Sequence, residues 1–510
     1  MKKLLFAATA ALAITSCTSD LSDLNVNGKA PESVPSGALF ANAVMGYYDF
    51  DAVQNVNENN LRLWSQHWTQ TTYTDESNFQ LNERDVNGST FVRMYVTVIR
   101  DCEEARTAVM NGPESSAAKA ASVAAIEVME VMAYQYLVDL FGDVPYSEAL
   151  SETNVPKYDA GSTIYMDLLA RLDAATADLS GSSTFGSSDI IYGGDAAAWK
   201  KAANSLMLRM AVRMIGYDAA AAKSWGEKAI AGGVFMSSAD DMRLFYASAP
   251  PHTHPMWETL VQSGRTDYVA SGTLSNALNE LNDPRSEYYF KNTCVYGIDT
   301  MTVTVTWDST QTPAIPDSTY FAQDTGCGTG NFMVFNENYV QGAPHGYQVN
   351  YYNYSQPGAA LEDPTWSHAP ISYVEVEFLM AHAAVAGWAG ASDAATHYEN
   401  GIRASIEEWG GSSADADAYM MHPLVAFSST TAATQIGVQK WIAMYSNAFE
   451  AYAAVRMYDL PMQTAALAGT VTPTRYSYPL DEYSLNTTNV NAAAANYGGD
   501  DTFAKIFWDM

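Results

Sequence analysis

Apolar residues recur every three or four positions along much of this chain, and that period predicts a mostly α-helical protein. The strongest stretch is 115–141, where Ile126, Met129, Ala133, Leu137 and Leu140 fall on one face. Gly142 follows the last turn, where a left-handed residue costs least without a Cβ, and Pro145 pushes Val144 out of the helical region. A long helix, a hard stop and Tyr146 at a fixed angle to it are therefore expected. The same reasoning places helices at 37–48, 59–70, 91–109, 163–179 and 196–214. The last carries Trp199, Ala203, Leu206, Met210 and Met214 on one face, with Asp195 as an acidic N-cap. Near the end, 372–388 pairs with 391–409, and 434–445 precedes 447–458. Helix pairs repeating every ~34–45 residues predict tetratricopeptide-like stacking inside one large domain, without a strict sequence repeat.

Between residues 249 and 370 the helical period fades, and Gly, Pro, Asn and Thr accumulate. Residues 301–307 (MTVTVTW) alternate like a short strand with a threonine face. A loop-rich, partly β insertion of this length in a helical domain usually carries function. It is dense in aromatics, among them Trp257, Trp307, Tyr347, Tyr351, Tyr352 and Tyr354.

The first residues change the picture. Lys2 and Lys3 precede an apolar run at 4–14 that is too short to span a bilayer, and small residues lead to Cys17. This reads as a signal peptide (1–16) with a lipobox. Cleavage before Cys17 leaves a lipidated N-terminus and tether (17–36), then the helical domain (37–510). The encoded net charge of −31 becomes −33 once the two lysines are lost. Such a surface disfavours nucleic acid and anionic glycans and suits neutral ligands. Of the other cysteines, Cys102 on a helix reads as a small buried hydrophobe. Cys294 and Cys327 share the loop-rich region, where an exported protein permits a disulfide that spacing alone does not decide.

Candidate chemistry is sparse. The chain has no HExxH, no G-x-S-x-G and no P-loop, so neither an enzyme nor a cofactor is indicated. Ser116 to Lys119 spells S-x-x-K without its companion motifs. Asp23-x-Asn25-x-Asn27-Gly28 opens like a calcium loop, but position twelve is Val34, which cannot ligate a cation. His252, His254 and Glu258 could supply metal ligands; the flanking prolines and Trp257 read more simply as an ordered loop, so no metal is expected. Carboxylate pairs for glycoside hydrolysis cannot be singled out among 57 acids. Aromatics give the one positive binding signal, because Trp and Tyr faces stack on the C–H face of a sugar while amides and carboxylates take its hydroxyls. Trp307, beside Asp308, leads the candidates, followed by Tyr347 and Trp257. Trp64, Trp68, Tyr73 and Asn78 form an earlier group. Trp64 and Trp68 lie four apart on one expected helical face, so core packing is the plainer reading for them.

Several blocks together resemble the SusD/RagB family of nutrient-binding outer-membrane lipoproteins. They are YLVDLFGDVPYSEAL (136–150), YGGDAAAWKKAANSLMLRMAVRM (192–214), NDPRSEYYF (282–290), FLMAHAAVAGW (378–388), HYENGIRASIEEWG (397–410) and QKWIAMYSNAFEAY (439–452). With the lipobox they run in the family's order, closest to the SusD-like branch with WSQHWTQTTYTDESNF (64–79). His382 and RMYDLP (456–461) depart from the family pattern on helical scaffold. The resemblance implies a surface-exposed, lipid-anchored outer-membrane protein. It would bind a neutral glycan near 64–79 and hand it to a SusC-like TonB-dependent transporter. Stacked helices alone would equally suit a protein-interaction scaffold, and a secreted glycoside hydrolase is a third reading.

Overall fold

A computed structural model describes residues 34–181, 185–291, 295–296, 332–333 and 340–509. Helices dominate, as their periodicity predicts. The N-terminal helix Ser36–Ala52 packs against a continuous helical segment built from Val86–Phe91, a π-helical stretch Val92–Ile99 and Arg100–Asn111. The central helix Ser116–Phe141 lies against Gly161–Asp178 and Ala196–Arg213, and the latter against Ala219–Gly232. Tyr373–Val385 pairs with Ala394–Glu408, and Ala432–Ala443 with Ala448–Met457. The last two are the pairs that the sequence spacing predicts.

Helix starts follow their caps. Ser115, Asp195, Ser372 and Asn447 each accept a backbone N–H of the first turn through the side chain. At the far end of the central helix Gly142 takes φ +84°, and a Cβ there would run into the Tyr497 hydroxyl. The glycine is thus required twice, by conformation and by space.

The central helix differs from expectation in one respect. It is buried on every side beyond Ala121 rather than along one face. It is the one helix among the described residues long and apolar enough to cross a membrane, yet 89% of that apolar stretch is buried inside the protein. Its carboxylates are matched internally. Asp139 pairs with Arg213 and accepts from Trp508 Nε1 (2.7 Å) and the Tyr165 hydroxyl. Arg213 reaches Glu450 at 2.5 Å. Lys440 bridges Glu450 and Glu375, each at 3.1 Å, and Arg209 holds Glu375. Three cations and three carboxylates thus balance in the middle of the fold. Burial pushes the Glu450 carboxyl up, but Arg209, Arg213 and Lys440 outweigh it and hold it well below the usual range.

Among the described residues, sheet is confined to three two-stranded ladders. β1 (Trp68–Gln70) pairs antiparallel with β4 (Tyr268–Ala270), with Trp68 opposite Ala270. β2 (Val144–Pro145) pairs with β3 (Tyr158–Asp159), and β5 (Val295–Tyr296) with β6 (Phe332–Met333). The first ladder overturns the helix expected over 59–70. Only Leu61–Trp64 is helical; Gln66 then takes φ +53°, and the chain leaves as a strand. Trp64 and Trp68 therefore share no helical face.

A candidate glycan surface and its neighbouring cleft

The segment after Trp64 was expected to offer rings to a ligand. Instead both tryptophans are fully buried. Trp64 packs edge-on against Tyr476 at 4.8 Å and Tyr452 at 5.7 Å. Trp68 donates its indole N–H to the Tyr445 hydroxyl (2.7 Å) and lies 4.9 Å below the Arg62 guanidinium. Neither presents a face to a sugar; both pack in the core, the plainer of the two readings given for them above. Large aromatics are mostly buried, and these close the gap between the strand and the C-terminal helices.

Asn78 is also buried, and its role is to clasp loops. Its Nδ2 donates to the Thr74 carbonyl (2.8 Å) and the Gly346 carbonyl (2.9 Å), while Oδ1 accepts from Leu467 N (2.7 Å) and Ala468 N (3.2 Å). Three segments meet on one side chain. Gly346, at φ +75°, makes the approach possible: a Cβ there would stand 2.8 Å from Asn78 Oδ1.

Around that clasp the exposed tyrosines are carried. Tyr73 sits at φ +52° with two-thirds of its surface open (67%), and Tyr347, next to Gly346, is 38% exposed. Their loops are tied together. Gly346 N donates to Thr69 Oγ1 (3.1 Å), Val349 N to the Thr71 carbonyl (2.9 Å), and Thr71 N to the Asp267 carbonyl (2.8 Å). Tyr352, half exposed, sits on a short turn capped by Asn350. The structure thus brings Tyr73 and Tyr347 onto adjoining, mutually braced loops, as ring-bearing residues on rigid supports.

Trp257 is half-buried on the turn Pro255–Trp257. His254 begins this turn with Nδ1 accepting from Met256 N (3.1 Å), and burial lowers its pKa well below the usual histidine value. It is a cap, and among the described residues no group of His, Cys, Asp and Glu could hold a metal. Trp307, Cys17, Cys294 and Cys327 lie outside the described residues. Cys102 is buried with a free thiol, as its helical position predicts.

Beside the tyrosine loops lies a cleft of about 380 Å³ between the end of Ser36–Ala52 and residues 251–268. Its walls are polar: Asp49, Gln54, Asn55, Asn57, Glu58, Arg93, Glu258 and Arg265 take part, with Tyr268 from β4. Burial pushes the Asp49 carboxyl up to about 6 against the pull of Tyr246 and Arg93. The sequence signal for this wall is the amide-rich run 53–60 (VQNVNENN) directly after an apolar helix. It is missed when that helix is ended at residue 48, because the amides then read as an ordinary loop.

Comparison with known proteins gives a consistent result. A family model, SusD-like, described as starch-binding and associating with the outer membrane, matches residues 28–309 and 329–479. The fold is similar to that of a solved chitin-binding protein at 26% identity and TM-score 0.73, covering 94% of this chain and 100% of that one. It is similar to a chitin-binding SusD homolog from Flavobacterium johnsoniae at 20% identity and TM-score 0.73, covering 92% and 98%. A SusD-like protein from Bacteroides thetaiotaomicron matches at 21% identity and TM-score 0.72, covering 93% and 98%. No curated protein matches the chain.

Proposed function

The chain belongs to the SusD-like family of outer-membrane proteins, and we propose that it is a cell-surface lipoprotein that captures a neutral glycan. It passes that glycan to a SusC-like TonB-dependent transporter and does not cleave it. The observation that carries this reading is the pair of exposed tyrosines, Tyr73 and Tyr347, on loops braced by Asn78. Stacking on such rings, with amide and carboxylate groups nearby for hydroxyls, is the chemistry of sugar capture. A net charge of −31 favours uncharged cargo. Relatives named as chitin-binding make acetylated chitooligosaccharides the first probes, beside maltooligosaccharides. A capture protein must release its cargo, so affinities on the order of 10–1000 μM, roughly 4–7 kcal/mol, are expected.

A glycan array on the purified protein tests the reading. Binding without product release is the expected result; reducing-sugar release would establish a hydrolase, and peptide binding with no sugar response a scaffold. Tyr73→Ala and Tyr347→Ala should each remove most of the measurable affinity at unchanged melting temperature. Retained affinity would move the site elsewhere. The anchor is tested separately: Cys17→Ala should abolish lipid labelling and membrane fractionation.

A further inference from the structure

The amide of Asn78 gathers more than loops. Three backbone groups that it touches each stand within one residue of a large apolar side chain open to solvent. The Thr74 carbonyl follows Tyr73, the Gly346 carbonyl precedes Tyr347, and the third group is the N–H of Leu467, itself 77% exposed. The loop of Leu467 is set as firmly as the other two. Ala466 N donates to the His345 carbonyl (3.2 Å) and His345 N to Gln463 Oε1 (3.2 Å), so this loop runs directly against the base of Tyr347. It also closes on itself. Gly469 N reaches the Ala465 carbonyl and Ala465 N the Thr470 carbonyl, both at 2.9 Å, with Leu467 at the bend between them. A lone leucine on a surface needs no explanation. One held beside two exposed rings does, because the fold gains no burial from it there.

Its chemistry differs from that of its neighbours. A tyrosine ring can lie on the C–H face of a sugar, but an isobutyl group offers neither a flat face nor a hydrogen bond. A hydroxyl pressed against it gives up water and receives nothing in return, whereas a methyl group gains by leaving water. A hexose with a hydroxyl at every position therefore draws nothing from Leu467, and a sugar that carries a methyl does. Two kinds of neutral sugar bring one: N-acetylhexosamines, in the acetamido group, and 6-deoxyhexoses, at C6.

We infer that Leu467 is a specificity-determining residue of the tyrosine surface, selecting neutral sugars that bear a methyl group over their fully hydroxylated counterparts. The inference rests on the glycan-capture reading and deepens it. Two matched pairs test it by NMR titration of the intact protein: di-N-acetylchitobiose against cellobiose, and L-fucose against L-galactose. In at least one pair the methyl-bearing member should bind more tightly, by roughly fourfold for one methyl removed from water, and the responding pair identifies the source of that methyl. Leu467→Gln, close in size but polar, should abolish the preference at unchanged melting temperature, and Leu467→Met, still apolar, should keep it. Tyr347→Ala should instead weaken both members of a pair alike, which separates a lost preference from a general defect of the surface. Equal affinities within both pairs, a preference that survives Leu467→Gln, its loss in both Leu467 variants, or silence from all four sugars overturns the role of Leu467. Beside a positive glycan array any of these results leaves glycan capture standing; silence here together with a silent array removes both.

Discussion

At the scale of single residues, burial decides what a side chain can do. Asp49 has its pKa pushed up to about 6 by burial, from an ordinary 3.8. Between those values the folded protein holds a proton that the unfolded chain has lost. The contribution of this group to stability therefore falls as pH rises through that window and stays low above it. Asp49→Asn, neutral throughout, should be more stable than the wild type at about pH 7.5, by at most ~3 kcal/mol, and should show no gain near pH 4. Urea melts at the two pH values check this; an equal gain at both would place the effect outside ionisation. The buried tryptophans give a second test. Trp64→Ala should cost about 3–5 kcal/mol of stability as a core truncation, measured by the same melts. A variant that melts normally yet loses sugar would return Trp64 to the ligand surface. That region is rich in aromatics in the sequence, but which rings face outward is not readable there. The turn at Gln66 sets it, and nothing in the local pattern announces a positive φ at a glutamine.

At the scale of elements, legibility follows how local the determinants are. Helix starts are set by a side chain two or three residues away, so Ser115, Asp195, Ser372 and Asn447 mark them well in the sequence. The β1–β4 ladder is only three residues long, and its partners are about two hundred positions apart, so no window of sequence contains it. The helix Ala219–Gly232, capped by Asp218, is absent from the sequence reading because the face it buries is made of Ala222, Gly226 and Ala229, small residues that mark no apolar stripe. The loop clasp belongs to the same long-range class: Asn78 meets Gly346 and Leu467 only in the folded chain. Gly346→Ala tests that clasp. A Cβ would crowd Asn78 at a φ that disfavours any side chain. The expected outcome is a loss of global stability of only about 1–2 kcal/mol with a fall in glycan affinity close to that of Tyr347→Ala. Unchanged affinity would mean the tyrosine loops hold their places without it.

At the scale of the whole molecule, the centre is held by charges as well as by apolar packing. Glu450 answers Arg213 and Lys440 inside a region closed to solvent. Glu450→Gln should cost about 3–5 kcal/mol, because removing one partner leaves buried cations uncompensated. A melting temperature within a degree or two of wild type would show that Asp139 and Glu375 suffice. The partners of this centre come from distant parts of the chain. Arg62 reaches the Tyr445 carbonyl, Thr472 the Trp64 carbonyl, Tyr476 the Asn60 side chain, and Trp508 the Asp139 carboxylate. These particular contacts, unlike the packing of Ser36–Ala52 on residues 86–111, form only after residues 445–508 are available. Neighbouring helix pairs can form as their residues become available, but the contacts that lock them together wait for closure of loops of some four hundred residues. The segment near the C-terminus thus acts as a latch: a chain cut short before residue 445 keeps its early helix pairs but lacks the contacts that join its two ends.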